Sequence, residues 1–124
     1  MPQKISPAEL AEILAQFTGT TQYYRINPQV VLTDGVKYLA DNAGCYWLMD
    51  LIASYVTQRS FDDQEFVSVK MDVTDRQAEV TLDDGNGNVL ATQQIEYTDF
   101  SLGQIRLYAC RSEQFWVVML PSEY

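Results

Sequence analysis

The chain has 124 residues, of which 47% are hydrophobic and 20% are charged, so its composition excludes a disordered or fibrous protein. A chain of this length can bury its own core, which predicts a single domain over residues 1–124. The net charge of −9 excludes generic binding to nucleic acids or anionic membranes, because both require clustered Lys and Arg.

The N-terminal part of the chain predicts one helix followed by short extended segments. A capping box that begins at Ser6, followed by apolar residues at helical spacing, predicts a helix over 7–17. Aromatic and β-branched residues predict a short strand over 22–26. The apolar segment 30–32 is expected to be extended before the next helix.

The apolar residues of segment 35–58 change phase in its middle. On a helical wheel, the apolar residues before Gly44 and those after it point about 100° apart, so one straight helix could not bury both sets against one core. Glycine also suits the position after a helix end. The pattern predicts two helices, over 35–42 and 45–58, with a bent continuous helix as the alternative.

From Phe66 onwards the period of the apolar residues changes from 3.6 to 2, which indicates strands. Strands are predicted over 67–73, 78–83, 88–97, 105–109 and 115–120. The last of these is apolar on both faces. The predicted fold class is therefore α+β, with N-terminal helices packed on a C-terminal antiparallel β-meander of four to five strands.

Few residues offer catalytic or metal-binding chemistry. The chain has no histidine, which removes Ser-His and Cys-His nucleophiles and histidine-based metal sites. Cys45 and Cys110 are too few for a zinc site and are expected to be reduced thiols. The acidic loop 83–88 resembles a calcium loop but has Gln94 where an EF-hand needs glutamate, so a hairpin turn is favoured. We expect no metal and no cofactor, and enzymatic activity is disfavoured.

The chain begins without the apolar stretch of a signal peptide. It also has no run near the roughly 20 apolar residues that a membrane helix needs. A cytoplasmic protein without membrane contact is therefore expected.

One group of candidate residues suits a small ligand. Tyr23 and Arg25 share one face of the predicted short strand, where a ring and a guanidinium could clamp a planar anion. Lys37, Tyr97 and Asp99 lie in polar and aromatic stretches at the ends of predicted elements, where sites often form. Ordinary packing, capping and turn chemistry is the alternative explanation for all five.

A second group suits a protein partner. The segment from Asp62 to Asp84 contains eight acidic residues against two basic ones, a net charge of −6. We expect Asp62, Asp63, Asp72 and Asp75 to form an acidic surface for a partner, which would itself be basic.

Six segments, in this order, carry a resemblance over nearly the whole chain: Phe17–Thr20, Tyr23–Arg25, Thr33–Gly44, Tyr46–Leu48, Ile95–Phe100 and Leu120–Tyr124. Together they resemble an uncharacterised bacterial family, a domain of unknown function. The resemblance implies a bacterial origin, with carriage on plasmids or phages as a further expectation, and no catalytic residue is carried over. Ile26 departs from the family pattern, which is expected to have a basic residue or histidine there.

The leading functional hypothesis is a small non-enzymatic interaction protein that binds a protein partner through its acidic surface. The alternative is a small-molecule binder or modest enzyme that uses Arg25, Lys37 and neighbouring Tyr and Asp groups in one pocket. A third possibility is a homodimer, whose contact face would consist of Trp116, Val118 and Leu120. Direct binding to nucleic acid is not expected.

Overall fold

A computed structural model of the chain describes residues 6–100, 102–113 and 115–124. The helices are α1 (Pro7–Leu14), α2 (Asp34–Ala43) and α3 (Tyr46–Val56), with 3₁₀ turns at Arg59–Phe61 and Pro121–Glu123. The strands are β1 (Tyr24–Asn27), β2 (Val30–Leu32), β3 (Phe66–Thr74), β4 (Gln77–Asp83), β5 (Val89–Ile95), β6 (Gln104–Arg111) and β7 (Trp116–Met119). Every predicted element is therefore present, and α1 ends three residues before its predicted end.

The separation of α2 from α3 confirms the predicted break. Gly44 has φ +64°, and its backbone N–H donates to the carbonyl of Ala40. Glycine adopts this left-handed conformation without the steric cost that a Cβ imposes. The alternative of one bent helix is wrong, because α3 begins afresh at Tyr46.

All seven strands form one mixed sheet, in the order β1-β2-β7-β6-β3-β4-β5. The predicted meander of four to five strands is wrong in two respects. The short strands β1 and β2 belong to the sheet, with β2 parallel to β7. In addition, β6 pairs with β3 rather than with β5, so β6-β3-β4-β5 is a Greek key.

The connection from β5 to β6 explains this return. Thr98 and Phe100 are buried as the chain crosses the end of the β3–β4 hairpin. The backbone N–H of Thr98 donates to the carbonyl of Arg76, and that of Val73 donates to the carbonyl of Gly103. These bonds tie the crossing to the hairpin, so the chain re-enters the sheet on the far side of β3.

The β3–β4 hairpin closes through a two-residue turn. Asp75 and Arg76 have φ values of +52° and +64°, between the paired residues Thr74 and Gln77. Positive φ at both positions defines a type I′ turn, which suits the twist of a hairpin but strongly prefers Asn-Gly. Asp tolerates this region, whereas a long side chain such as that of arginine pays about 1–2 kcal/mol.

We expect Arg76→Gly to stabilise the protein by about 1 kcal/mol, because glycine removes the steric cost while adding some entropy to the unfolded chain. Urea denaturation would measure the change in free energy of unfolding. Arg76→Ala is the control, because it removes the guanidinium and keeps the Cβ. A glycine variant no more stable than the alanine variant would contradict this account.

The two faces of the sheet have different surroundings. The inner face packs against the helices and contributes alternate residues to one core, among them Val67, Val69, Met71, Leu107, Ala109 and Val118. Trp116, Val118 and Leu120 are all buried in that core, so the predicted homodimer face is wrong. The outer face is exposed over much of β4, β5 and β6.

The C-terminal 3₁₀ turn packs against the start of α2. The Glu123 carboxylate accepts hydrogen bonds from Thr33 Oγ1 at 2.6 Å, from the Gly35 N–H at 3.1 Å and from the Leu120 N–H at 3.0 Å. The first N–H groups of a helix lack partners within it, and its N-terminal end favours negative charge. Glu123 therefore joins the end of the chain to α2.

Candidate functional site

Lys37 lies in a polar and aromatic cluster on the exposed side of α2. Its Nζ is 2.6 Å from Oδ2 of Asp41, and it lies 5.4 Å and 5.8 Å from the ring centres of Tyr24 and Tyr46. The hydroxyl of Tyr46 donates to the other oxygen of Asp41. The hydrogen bond to Asp41 raises the pKa of Lys37 above its ordinary value. The amine is therefore protonated at neutral pH and unsuited to act as a nucleophile.

Asp34 connects the start of α2 to the segment before β1. Its Oδ2 accepts from the backbone N–H of Thr21 at 2.8 Å and from the Thr21 hydroxyl at 3.0 Å. The Asp34 N–H in turn donates to the hydroxyl of Thr20. The bond from the Thr21 backbone, and then that from its side chain, lower the pKa of Asp34. These contacts satisfy Asp34 locally and hold the chain entering β1 against α2.

We expect the free energy of unfolding to be nearly constant between about pH 5 and 8 and to fall below about pH 4. The pKa values of Asp34, Asp41 and Asp84 are lowered, so their contributions are present above the unfolded pKa and are lost as pH falls through the folded one. The pKa of Lys37 is raised, so its contribution is present below the unfolded value and is lost only at high pH. Urea denaturation across pH measures this.

The loss of stability at acidic pH should be smaller in the variant Asp34→Asn, which cannot titrate at that position. The Asp50→Asn variant provides a control, since Asp50 is an exposed acid on α3. A fall in stability between pH 5 and 7 would contradict the prediction, because the chain has no histidine to titrate there.

The five predicted ligand-binding residues do not converge. Arg25 donates from Nη1 to the carbonyl of Pro28 at 2.7 Å and shares the outer face with its sheet neighbours. Lys37 instead lies over Tyr24, whose side chain projects from the opposite side of β1. Tyr23 precedes β1 and is largely exposed. Arg25 and Lys37 therefore do not contribute to one pocket.

Tyr97 and Asp99 lie where the chain crosses the end of the β3–β4 hairpin. Four to five strand spacings, roughly 19–24 Å, separate β1 from β3 and β4. There Tyr97 and Asp99 line a cavity of about 310 Å³ together with Arg76, Val73, Thr98 and Phe100. This volume is near the lower end for small-molecule sites. The basic residue that lines this cavity with Tyr97 and Asp99 is Arg76, which the sequence pattern had not singled out.

The four predicted partner-binding acids fall at opposite ends of β3. Asp62 and Asp63 precede the strand, while Asp72 and Asp75 lie at its far end. A nine-residue strand spans roughly 27 Å, so the four carboxylates do not form one patch. Asp62 lines a separate cavity of about 230 Å³ with Arg111, whose guanidinium donates to the carbonyl of Asp62.

The far end of β3 carries a more compact acidic group on the outer face. Asp72 on β3 and Glu79 on β4 are directly opposed in the sheet register. Gln104 donates to Asp72 at 2.6 Å, Gln94 donates to Glu79 at 2.7 Å, and Lys70 lies 3.7 Å from Asp72. Like charges at directly opposed positions destabilise an antiparallel pair. We name Asp72, Glu79 and the adjoining turn residue Asp75 the acidic row.

The acidic loop between β4 and β5 uses its carboxylates internally. Asp83 accepts from the backbone N–H of Gly85 at 2.7 Å, and Asp84 accepts from those of Asn86 and Asn88. These bonds confirm the predicted turn. Over the described ranges, no three His, Cys, Asp or Glu side chains are grouped in a way that could hold a metal ion.

The thiols offer little reactivity. Cys45 and Cys110 are both free. Burial raises the pKa of Cys45 to about 12, and burial also raises the pKa of Cys110. Because the thiolate is the reactive form, neither thiol has the properties of a nucleophile.

Among the described helices, none is long and apolar enough to cross a membrane.

These features define a two-layer α+β domain with helices on one face of a mixed sheet and an acidic row on the other. The chain belongs to a family of unknown function, DUF6876, whose sequence model matches residues 8–124. The predicted resemblance to a domain of unknown function is thereby confirmed.

A solved structure shares the fold. It is a protein of unknown function from Enterococcus faecalis, with 12% sequence identity and a TM-score of 0.57 over 85% of this chain and 98% of that one. At this identity the likeness concerns the fold alone. A comparison with curated proteins gave no match.

Proposed function

We propose that this protein is a non-enzymatic interaction protein that binds a basic surface of a protein partner through the acidic row. The opposed carboxylates of Asp72 and Glu79 on the exposed outer face carry this proposal. Within the fold, their repulsion opposes stability. A Lys or Arg side chain of a partner, placed between the two carboxylates, would replace that repulsion with attraction to both.

The carboxylates of the acidic row are accessible to the basic side chains of a partner protein. Glu79 and Asp75 are exposed and Asp72 is half-exposed. Lys70 is the cation beside Asp72, but their separation of 3.7 Å is long and both side chains are solvated, so the pair contributes little. The net charge of −9 would also steer a basic partner towards the chain.

The non-enzymatic part of the proposal has its own support. Lys37 is protonated and paired with Asp41, and the Cys45 thiol is buried with a raised pKa. Lysine and cysteine are two of the side chains that covalent catalysis uses as nucleophiles. Neither is activated in the way that covalent catalysis requires.

We expect the double variant Asp72→Asn/Glu79→Gln to weaken partner binding by about tenfold or more while raising the free energy of unfolding by about 0.5 kcal/mol. Binding would be measured by affinity capture from a host lysate, identification of the bound protein and titration with that protein. The gain in stability separates loss of an interaction surface from loss of the fold.

The matched control is Asp62→Asn/Asp63→Asn, which removes the same charge at the other end of β3. It should leave binding nearly unchanged, apart from a weaker general steering effect that vanishes in salt. Undiminished binding by the Asp72→Asn/Glu79→Gln variant would refute the proposal. Equal losses in both double variants would show that total charge, rather than the acidic row, governs binding.

A further inference from the structure

The strand β5 forms a long open edge of the sheet. It has seven residues and, among the described strands, it pairs only with β4. Alternate residues of an antiparallel strand direct their N–H and C=O groups to opposite sides, so about half of β5 presents these groups away from β4. The other edge, β1, has four residues and an irregular register between Arg25 and Asn27, which makes it a poorer template.

The sequence of β5 does not protect this edge. From Val89 to Ile95 it contains no charged residue and no proline, which are common devices that keep natural edge strands from pairing. The register is irregular only near Val89, beside the Leu82–Asp83 step of β4, and is continuous from Ala91 to Ile95. A regular segment of β5 is therefore available for pairing.

Acidic side chains surround this edge. Glu79 lies beside β5, where Gln94 donates to it at 2.7 Å. Asp84 lies in the loop before β5, and Glu96 follows its last residue. Arg76 is the cation near this C-terminal end of β5, because the backbone N–H of Thr98 donates to the Arg76 carbonyl. An added strand would therefore meet mainly negative charge, which disfavours a second copy of this acidic chain.

We propose that a basic, extended segment of the partner pairs with β5 as an additional strand of the sheet. This inference rests on the proposed function and specifies how the acidic row would be used. A residue of the added strand beside Gln94 would lie two strand spacings, roughly 10 Å, from Glu79. Lys and Glu side chains together span that distance, so backbone pairing would bring a lysine to the acidic row.

Three blocked synthetic peptides test the mode of binding. The first alternates Lys and Thr, the second replaces each Lys with Glu, and the third is the Lys peptide with N-methyl groups on alternate backbone nitrogens. Titrated into the full chain, the Lys peptide should bind at least about tenfold more tightly than the other two. It should also slow hydrogen exchange of outward-facing β5 amides, with no such change in β1.

Two variants test where on the sheet the peptide binds. Gln94 on β5 and Gln104 on β6 occupy corresponding outer-face positions, and each donates to one acid of the acidic row. Gln94→Lys should weaken the Lys peptide severalfold, because it places a like charge beside the added strand. Gln104 lies on β6, three strand spacings from β5, so Gln104→Lys should weaken binding of the Lys peptide less. Equal effects would overturn the placement at β5.

The outcomes separate this inference from the proposed function. Equal binding of the Lys peptide and its N-methylated form would overturn strand addition and leave the acidic row as a surface for side chains. Equal binding of the Lys and Glu peptides would overturn the requirement for a basic segment, and with it this inference, and would count against the acidic row. Absence of binding by the Lys peptide would overturn the inference. A concentration-dependent dimer with protected β5 amides would make a second copy the occupant and likewise overturn it.

Discussion

Replacement of Gly35 by alanine is expected to lower the free energy of unfolding by about 3 kcal/mol. A Cβ at this position would lie 2.5 Å from Cδ1 of Leu120 and 2.7 Å from Oε1 of Glu123. Leu120 is buried, and Glu123 accepts three hydrogen bonds, so neither can withdraw without losing contacts. Helix propensity alone predicts the opposite sign, because alanine is favoured over glycine within a helix by about 1 kcal/mol.

Equilibrium urea denaturation would measure this loss. Gly19→Ala is the matched control, because a Cβ at Gly19 would have no heavy atom within 4 Å. That variant should be within about 0.5 kcal/mol of the parent chain. The close approach of the C-terminal turn to α2 would be refuted if Gly35→Ala were as stable as the control.

Local features of the fold could be predicted because their causes lie within a few residues. The capping box at Ser6 is present, with Glu9 as its reciprocal partner. The break at Gly44 followed from the phase of the residues on either side. The β3–β4 hairpin followed from alternation on both sides of residues 74–77.

The arrangement of the strands could not be predicted in this way. Val30–Leu32 is buried at all three positions and has no alternation to indicate a face or a partner. Its parallel pairing with β7 joins segments about two-thirds of the chain apart. Alternation identifies a strand but does not specify its neighbour, and for that reason β6 could not be assigned to β3 from the pattern.

The candidate sites divide along the same line. A two-residue turn at Asp75 and Arg76 places residue 72 opposite residue 79, so Glu79 could have been recognised from the hairpin register. In contrast, Arg76 and Tyr97 line the same cavity only because the chain crosses the end of the β3–β4 hairpin. Asp62 is close to Asp72 in sequence, but an extended strand separates them in space.

The contact of Glu123 with α2 could not be predicted from the sequence either, because it joins residues 88 positions apart. Its removal should have the second-largest effect on the free energy of unfolding. We expect Glu123→Ala to lower the free energy of unfolding by about 2–3 kcal/mol. The substitution leaves the Thr33 hydroxyl and the N–H groups of Gly35 and Leu120 without their acceptor. It also removes negative charge from the start of α2, where the helix dipole favours it.

Thermal and urea denaturation of three variants would test this account. Glu123→Gln retains one acceptor oxygen and should lose about half as much stability as Glu123→Ala. A Ser122→Ala variant is the neighbouring control, because the Ser122 hydroxyl makes one long bond of 3.4 Å to the carbonyl of Leu14. Losses of equal size in the Ser122 and Glu123 alanine variants would show that the turn as a whole, and not the carboxylate, supports α2.

The effects of Gly35→Ala and Glu123→Ala should not add. A Cβ at Gly35 would collide partly with the Glu123 carboxylate, so removing that carboxylate first relieves part of the collision. The remaining collision is with Leu120, so the double variant should be less destabilised than the sum of the single variants by about 1 kcal/mol. Additive losses in this double-mutant cycle would show that Gly35 is constrained by Leu120 alone, and that the carboxylate contributes only through its hydrogen bonds.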